Sequence, residues 1–193
     1  RDPYVETDEP NPLNAYGRSK LEGERAIQQT DGAYLILRAS WVYSLRMPSF
    51  VTKFLGWART NPQVRVVTDQ TANPTWCRML AETTAQLLAK MDANPAPEGW
   101  TRERRGVYHL AGSGYVSRFE MAQKMMELLP NDYPIQAKRV LPALTADFND
   151  AAKRPVFSAL DCGKFIRTFG IEIPDWESSL QAAFADHFQT VSA

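Results

Sequence analysis

Apolar residues change their spacing repeatedly along this chain, and each change marks an element. Arg1–Pro12 is polar and carries Pro3, Pro10 and Pro12, so it reads as an extended loop. A helix is expected from about Leu13 to Gln29. Tyr34–Ala39 is a nearly continuous apolar run, the pattern of a strand buried on both faces in a parallel sheet. A helix over about Ser49–Thr60, a β-branched strand at Val64–Val67 and a helix over Thr75–Met91 follow. Asn94–Gly99 reads as a surface connection. Val107–Ala111 is a further strand, and Ser117-x-x-Glu120 is a capping box that opens a helix to about Leu129. Late elements are a strand near Val140, a long loop to Pro155, and helices near Asp161–Phe169 and Trp176–Phe188. Strands alternating with helices predict an α/β fold with a mostly parallel, Rossmann-like sheet, read as one unit over residues 1–193.

Composition narrows the partners. The 193 residues are 44% hydrophobic and 23% charged, ordinary values for a globular chain. The formal net charge is zero, so no global field attracts nucleic acid or an acidic membrane surface. Cys77 and Cys162 lie far apart and form no Cys-x-x-Cys, which argues against a disulfide framework or a zinc site and fits a reducing cytoplasm. No apolar run approaches transmembrane length. His109 and His187 share no metal-ligand spacing and read as structural. Asp147 and Asp150 read as solvated loop carboxylates, and Arg102–Arg105 as a solvated basic loop.

The chemistry begins at Tyr16-Gly17-Arg18-Ser19-Lys20. Residues four apart share a helix face. An ammonium beside a phenol favours the phenolate, so such a Tyr exchanges protons with a substrate oxygen more readily than a lone one. This is proton-transfer machinery for carbonyl/alcohol redox chemistry, which calls for a nicotinamide cofactor. The spacing alone is weak, because a surface Tyr and Lys on an amphipathic helix look the same. A phosphate cradle is not evident either. Gly112-Ser113-Gly114 lacks the third glycine and the downstream acid of a dinucleotide fingerprint, and reads better as a substrate-side loop.

Context resolves the ambiguity. Asn11-Pro12-Leu13-Asn14-Ala15-Tyr16-Gly17-Arg18-Ser19-Lys20-Leu21-Glu22-Gly23-Glu24 resembles the active-site helix of extended short-chain dehydrogenases/reductases, and more narrowly their dTDP-4-dehydrorhamnose reductase branch. Leu37–Tyr43, Asp69-Gln70-Thr71-Ala72-Asn73-Pro74-Thr75, Gly106–Leu110 and Arg154-Pro155-x-x-Ser158-x-Leu160 are similar to later signatures of that branch, in order. The resemblance implies that Tyr16 is the general acid, with Lys20 as its partner and a ribose ligand. It also implies that Ser40 lies near the nicotinamide and that Trp41 packs against the deoxysugar. Lys153-Arg154 could meet a diphosphate, with bidentate donors from Arg154, or form a structural ion pair. The implied reaction is reduction of the C4 keto group of dTDP-4-dehydro-L-rhamnose by NADPH or NADH, with no metal.

The chain departs from the pattern in places. Ala72 replaces the usual glycine, and Ser44–Pro48 replaces a glycine-containing loop. The family's glycine-rich dinucleotide loop and the Ser/Thr of its catalytic triad fall outside these 193 residues. The expectation is therefore a catalytic and substrate-binding portion whose cofactor half lies in the same polypeptide or in another one, with a homodimer also compatible. Two other readings stay open: a nucleotide-sugar epimerase or dehydratase of the same superfamily, and a non-catalytic regulatory subunit that keeps the fold.

Overall fold

The structure, a computed structural model, describes residues 2–149 and 152–191, and the side chains of those up to residue 189. Helix α1 spans Ala15–Gln28 and starts where Asn14, in extended conformation, accepts the Gly17 N–H on its side-chain oxygen. Strand β1 is Leu35–Arg38 and β2 is Val42–Tyr43. Helix α2 is Phe50–Thr60, followed by β3 at Gln63–Val67, β4 at Thr71–Ala72 and β5 at Thr75–Trp76. Helix α3 covers Cys77–Asp92 and α4 covers Pro97–Glu103. Then come β6 at Gly106–His109, β7 at Val116–Ser117 and α5 at Arg118–Glu127. Strand β8 is Arg139–Ala143, a 3₁₀ turn covers Thr145–Asp147, and α6 (Gly163–Phe169) and α7 (Trp176–Val191) end the chain.

The α/β class and the parallel pairing are as expected, but the strands form four two-stranded pairs. β1 runs parallel to β6, from Leu35 beside Gly106 to Arg38 beside His109. β3 runs parallel to β8, from Gln63 beside Arg139 to Val67 beside Ala143. β2 is parallel to β5, and β4 is antiparallel to β7. β1 departs from the expected two-sided burial: only Ile36 is buried. Among the described residues β1 pairs with β6 alone, so its second edge receives no cover from a neighbouring strand.

The surface connection expected at Asn94–Gly99 gives way to a helix at its midpoint, from Pro97. Pro97 occupies the first turn of α4, where its missing N–H costs no hydrogen bond. The Arg102–Arg105 cluster sits at the end of that helix and the turn after it. Arg102 pairs with Glu98 and with Asp31, Arg105 also reaches Asp31, and Arg104 lies over the Trp100 ring.

Two apolar clusters hold the elements together. One gathers Val51, Phe54, Val64, Val66, Met121, Met125, Leu180 and Phe184 between β3, α2, α5 and α7. The other gathers Met79, Leu87, Tyr108, Leu110, Phe165 and Phe169 around β6, α3 and α6. Trp76 packs against both. Helix α1 contributes no buried residue. Its tie to β1 is a bidentate ion pair, with Arg38 Nε and Nη2 donating to the Glu24 carboxylate at 2.9 and 2.6 Å.

A polar junction joins three loops. Buried Asn73 donates from Nδ2 to the carbonyls of Gly112, Gly114 and Leu160, and accepts Leu160 N–H on Oδ1. Gly112 lies so close to the strand turn that a Cβ there would sit 2.2 Å from the Pro74 carbonyl oxygen. Gly114 has φ of 77° and faces Trp176, a backbone conformation that favours glycine. The Gly112-Ser113-Gly114 segment is therefore committed to packing the β5–α7 junction, with Ser113 N–H donating to the Pro174 carbonyl.

Candidate active site

Tyr16 is 74% exposed in the first turn of α1, and Lys20, one turn on, is also exposed. Both side chains thus lie on a helix whose outer face is open. Asn14 carries a second bond beyond its cap: its Nδ2 donates to the Lys153 carbonyl at 3.0 Å. That bond fixes the start of the Tyr16 helix against the segment bearing Arg154. Ser40 is buried just past β1, and Trp41 follows it in the left-handed region with φ of 34°.

A cavity of about 470 Å³ opens nearby, lined by Phe50, Lys53, Trp57, Arg65, Arg118 and Arg154 together with the Gln70, Thr145 and Phe148 side of the opposing loop. Its wall is built by the Asp69-Gln70 signature. The Asp69 carboxylate accepts Thr145 N–H at 3.0 Å and Thr145 Oγ1 at 2.8 Å, and Gln70 Nε2 donates to Thr145 Oγ1. Asp147 of the same loop pairs with Arg65 at 2.6 Å, and Arg65 also lies over the Phe148 ring. Asp147 is thus a structural carboxylate, while Asp150 lies outside the described residues. A larger groove of about 560 Å³ between the end of α5 and α7 is lined by groups such as Leu128, Phe184 and Gln189 and offers no titratable side chain.

Arg118 lines this cavity and was not among the site residues expected from the sequence. Its Nε donates to Gln70 Oε1 at 3.1 Å, and its guanidinium lies 4.1 Å from the Trp41 ring centre and 4.7 Å from that of Phe50. Burial, with the Arg154 charge nearby, pushes its pKa down to about 10, so it remains cationic at neutral pH. The available signal was its place at the first position of a helix, where a cation opposes the helix dipole and needs another reason to be there. Two N–H groups at that helix start are committed: Arg118 N–H donates to Gln70 O and Glu120 N–H to Ser117 Oγ.

The histidines carry no site. His109 is buried, with Nδ1 at 3.1 Å from the Tyr4 carbonyl and 3.2 Å from that of Asp161. His187 packs edge-on against Phe188. Among the described residues no group of three His, Cys, Asp or Glu could hold a metal ion, and no helix is long and apolar enough to cross a membrane. Cys77 and Cys162 are free thiols. Burial lowers the His109 pKa below its ordinary value of about 6.5. Its protonation therefore favours the unfolded chain, and stability is lost as pH falls below about 6.5, by at most about 1.4 kcal/mol per pH unit. Urea midpoints at pH 7.5, 6.5 and 5.5 are expected to fall across this range, and H109Q to flatten that fall. An equal fall in H109Q would assign it to other groups.

Helices packed on parallel strand pairs, with a Tyr/Lys helix tied to a cationic, aromatic-walled cavity, define a Rossmann-like α/β unit. The RmlD substrate binding domain family matches residues 1–189, and the chain belongs to that family. It is 35% identical over 187 residues to a dTDP-4-dehydrorhamnose reductase of Burkholderia thailandensis, covering 95% of this chain and 62% of that protein. A crystal structure of a dTDP-4-dehydrorhamnose reductase from Clostridium acetobutylicum superposes with a TM-score of 0.82 at 29% identity, covering 98% of this chain and 61% of that one. The Bacillus anthracis dTDP-4-dehydrorhamnose reductase, solved in complex with NADP, gives 0.80 at 29% identity over 95% and 59%. The chain thus spans about three-fifths of the length of the relatives it matches.

Proposed function

We propose that the full-length protein reduces the 4-keto group of dTDP-4-dehydro-L-rhamnose with NADPH or NADH, giving dTDP-L-rhamnose, in the reducing cytoplasm that its free thiols suit. This chain acts as one α/β unit that supplies the catalytic helix and the sugar-nucleotide site. One observation carries the reading: the Asn14–Lys153 bond joins the exposed Tyr16/Lys20 helix to the segment of Arg154, which lines a cavity with Arg118. The relatives' printed activity supports the choice of reaction.

The open face of α1 fits a nicotinamide and its ribose, because Tyr16 and Lys20 both project from it unburied. When bound, the nicotinamide supplies the hydride for the carbonyl carbon. The chain's own residues do the rest. The Tyr16 hydroxyl gives its proton to the C4 oxygen as that oxygen gains charge. Lys20, one turn along, carries the positive charge that favours the resulting phenolate and donates to the ribose. Ser40 flanks the nicotinamide at the end of β1. Trp41 offers its apolar face to the sugar C–H groups. Arg154 meets the diphosphate, where guanidinium donors are strong partners of phosphate oxygens, and Arg118 adds its positive charge to the same cavity. The phosphates of the dinucleotide find no glycine cradle here, since Gly112 and Gly114 are spent on packing.

The test is the full-length protein with NADPH and dTDP-4-dehydro-L-rhamnose. Stoichiometric NADPH oxidation with formation of dTDP-L-rhamnose supports the proposal. Sugar interconversion without net NADPH oxidation would establish the epimerase reading, and binding of dTDP without any turnover the regulatory one.

A further inference from the structure

Trp41 is the only non-glycine residue with positive φ among the described residues, and a bulky aromatic side chain is strained there. Such a conformation persists only where its surroundings over-determine it. The Trp41 carbonyl is fixed by Thr75 N–H at 3.2 Å, which sets the backbone. The ring is met by Arg118, whose guanidinium centre lies 4.1 Å from the ring centre. Arg118 is itself held from two other sides, by the Phe50 ring and by Gln70 Oε1. Its first position in α5 sets a cation against the helix dipole, so its charge does not serve the helix. Among the described residues no carboxylate pairs with it. Arg118 also lines the cavity, so one plane faces the indole while the cation is within reach of an anion in that cavity.

We propose that Arg118 is a positioning residue for Trp41, holding the indole in its strained place beside the sugar, with the substrate's diphosphate tightening that hold. This rests on the reading of the cavity as a sugar-nucleotide site. A bound diphosphate compensates the Arg118 charge and restrains its side chain, and the Trp41 ring is restrained with it. The sugar wall then becomes ordered in the same event that seats the nucleotide.

A double-mutant cycle in the full-length protein tests the route through Trp41. R118K keeps the charge but loses the planar group. It is expected to lower kcat/KM by about tenfold in the wild-type background and by less than about twofold in the W41A background, because coupled residues are non-additive. Multiplying effects would show that Arg118 acts independently of Trp41 and overturn the proposal. A second readout needs no turnover. In protein labelled with 5-fluorotryptophan, with the Trp41 fluorine line assigned by W41F, R118K is expected to shift or broaden that line and leave the lines of Trp76, Trp100 and Trp176 in place. An unmoved Trp41 line sinks the positioning role even if the enzyme is active. In the wild type, dTDP is expected to shift the Trp41 line and thymidine is not; equal shifts from the two would remove the diphosphate from the proposal. If dTDP fails to bind the wild type by calorimetry, the sugar-nucleotide reading fails, and the ligand-free fluorine lines still decide the positioning role.

Discussion

Replacing Tyr16 with Phe in the full-length protein is expected to lower turnover by about two to four orders of magnitude, the usual contribution of a positioned general acid. The argument is one of chemistry without structural cost. Tyr16 is 74% exposed and packs into neither apolar cluster, so deleting its hydroxyl disturbs no core contact. A surface change of this kind shifts stability by about 0.5 kcal/mol or less. Thermal unfolding and calorimetric dTDP affinity should therefore match the wild type while NADPH oxidation is lost. The conserved cavity with lost turnover is the signature of a group used at the reacting oxygen and not in substrate binding. If the Phe variant keeps most of its turnover, Tyr16 is not the acid and the assignment of α1 as the catalytic helix falls.

The second large effect concerns stability. Asn73→Ala is expected to destabilise the protein by about 3 kcal/mol or more, since each buried polar group left unpaired costs about 1–3 kcal/mol. Asn73 is 2% exposed, shares its two Nδ2 hydrogens among three carbonyls and accepts one N–H, from two other segments. Asn73→Asp is expected to be no better, because a carboxylate cannot donate to the carbonyls of Gly112, Gly114 and Leu160 and its burial adds a desolvation cost. Urea denaturation with unchanged m-value measures both. A loss below about 1 kcal/mol for the Ala variant would show that the junction is held by Gly112 packing and backbone bonds instead.

The sequence was legible where one local rule decides the outcome. The Ser117-x-x-Glu120 pattern predicts a reciprocal cap, and both bonds are present, with Glu120 N–H on Ser117 Oγ and Ser117 N–H on the Glu120 carboxylate. The main helices and the strands at Val64–Val67 and Val107–Ala111 follow from periodicity with shifts of up to three residues at their ends. Strands β2, β4, β5 and β7 have two residues each, too few to show a period. α4 was hidden because Pro95-Ala96-Pro97 reads as a breaker, although a proline is well suited to a helix start.

The site divides in the same way. Tyr16 and Lys20 lie in one turn, so spacing brings them together. Trp41 entered through the resemblance, and Arg154 through the bidentate chemistry of its guanidinium beside Lys153. Arg118 was invisible for a different reason. Its partners Trp41, Phe50 and Gln70 come from three distant segments, and only the folded chain brings them to one guanidinium. The role of Asp69-Gln70 was equally hidden. The motif was recognisable, but its work of holding the Thr145 loop depends on a partner far along the chain.

The two longest strand pairs bear on how the chain becomes folded at all. Leu35 waits for Gly106, and Gln63 for Arg139, each across several intervening elements. Pairing of this kind closes long loops and folds slowly. On the ribosome, at about 5–20 residues per second, β1 emerges several seconds before β6 exists. During that interval Tyr34-Leu35-Ile36-Leu37 is an apolar strand still without β6 on the edge that β6 will occupy, a state in which intermolecular pairing competes with folding. The segment that ends at Arg38, the anchor of α1 through Glu24, thus depends on protection during synthesis.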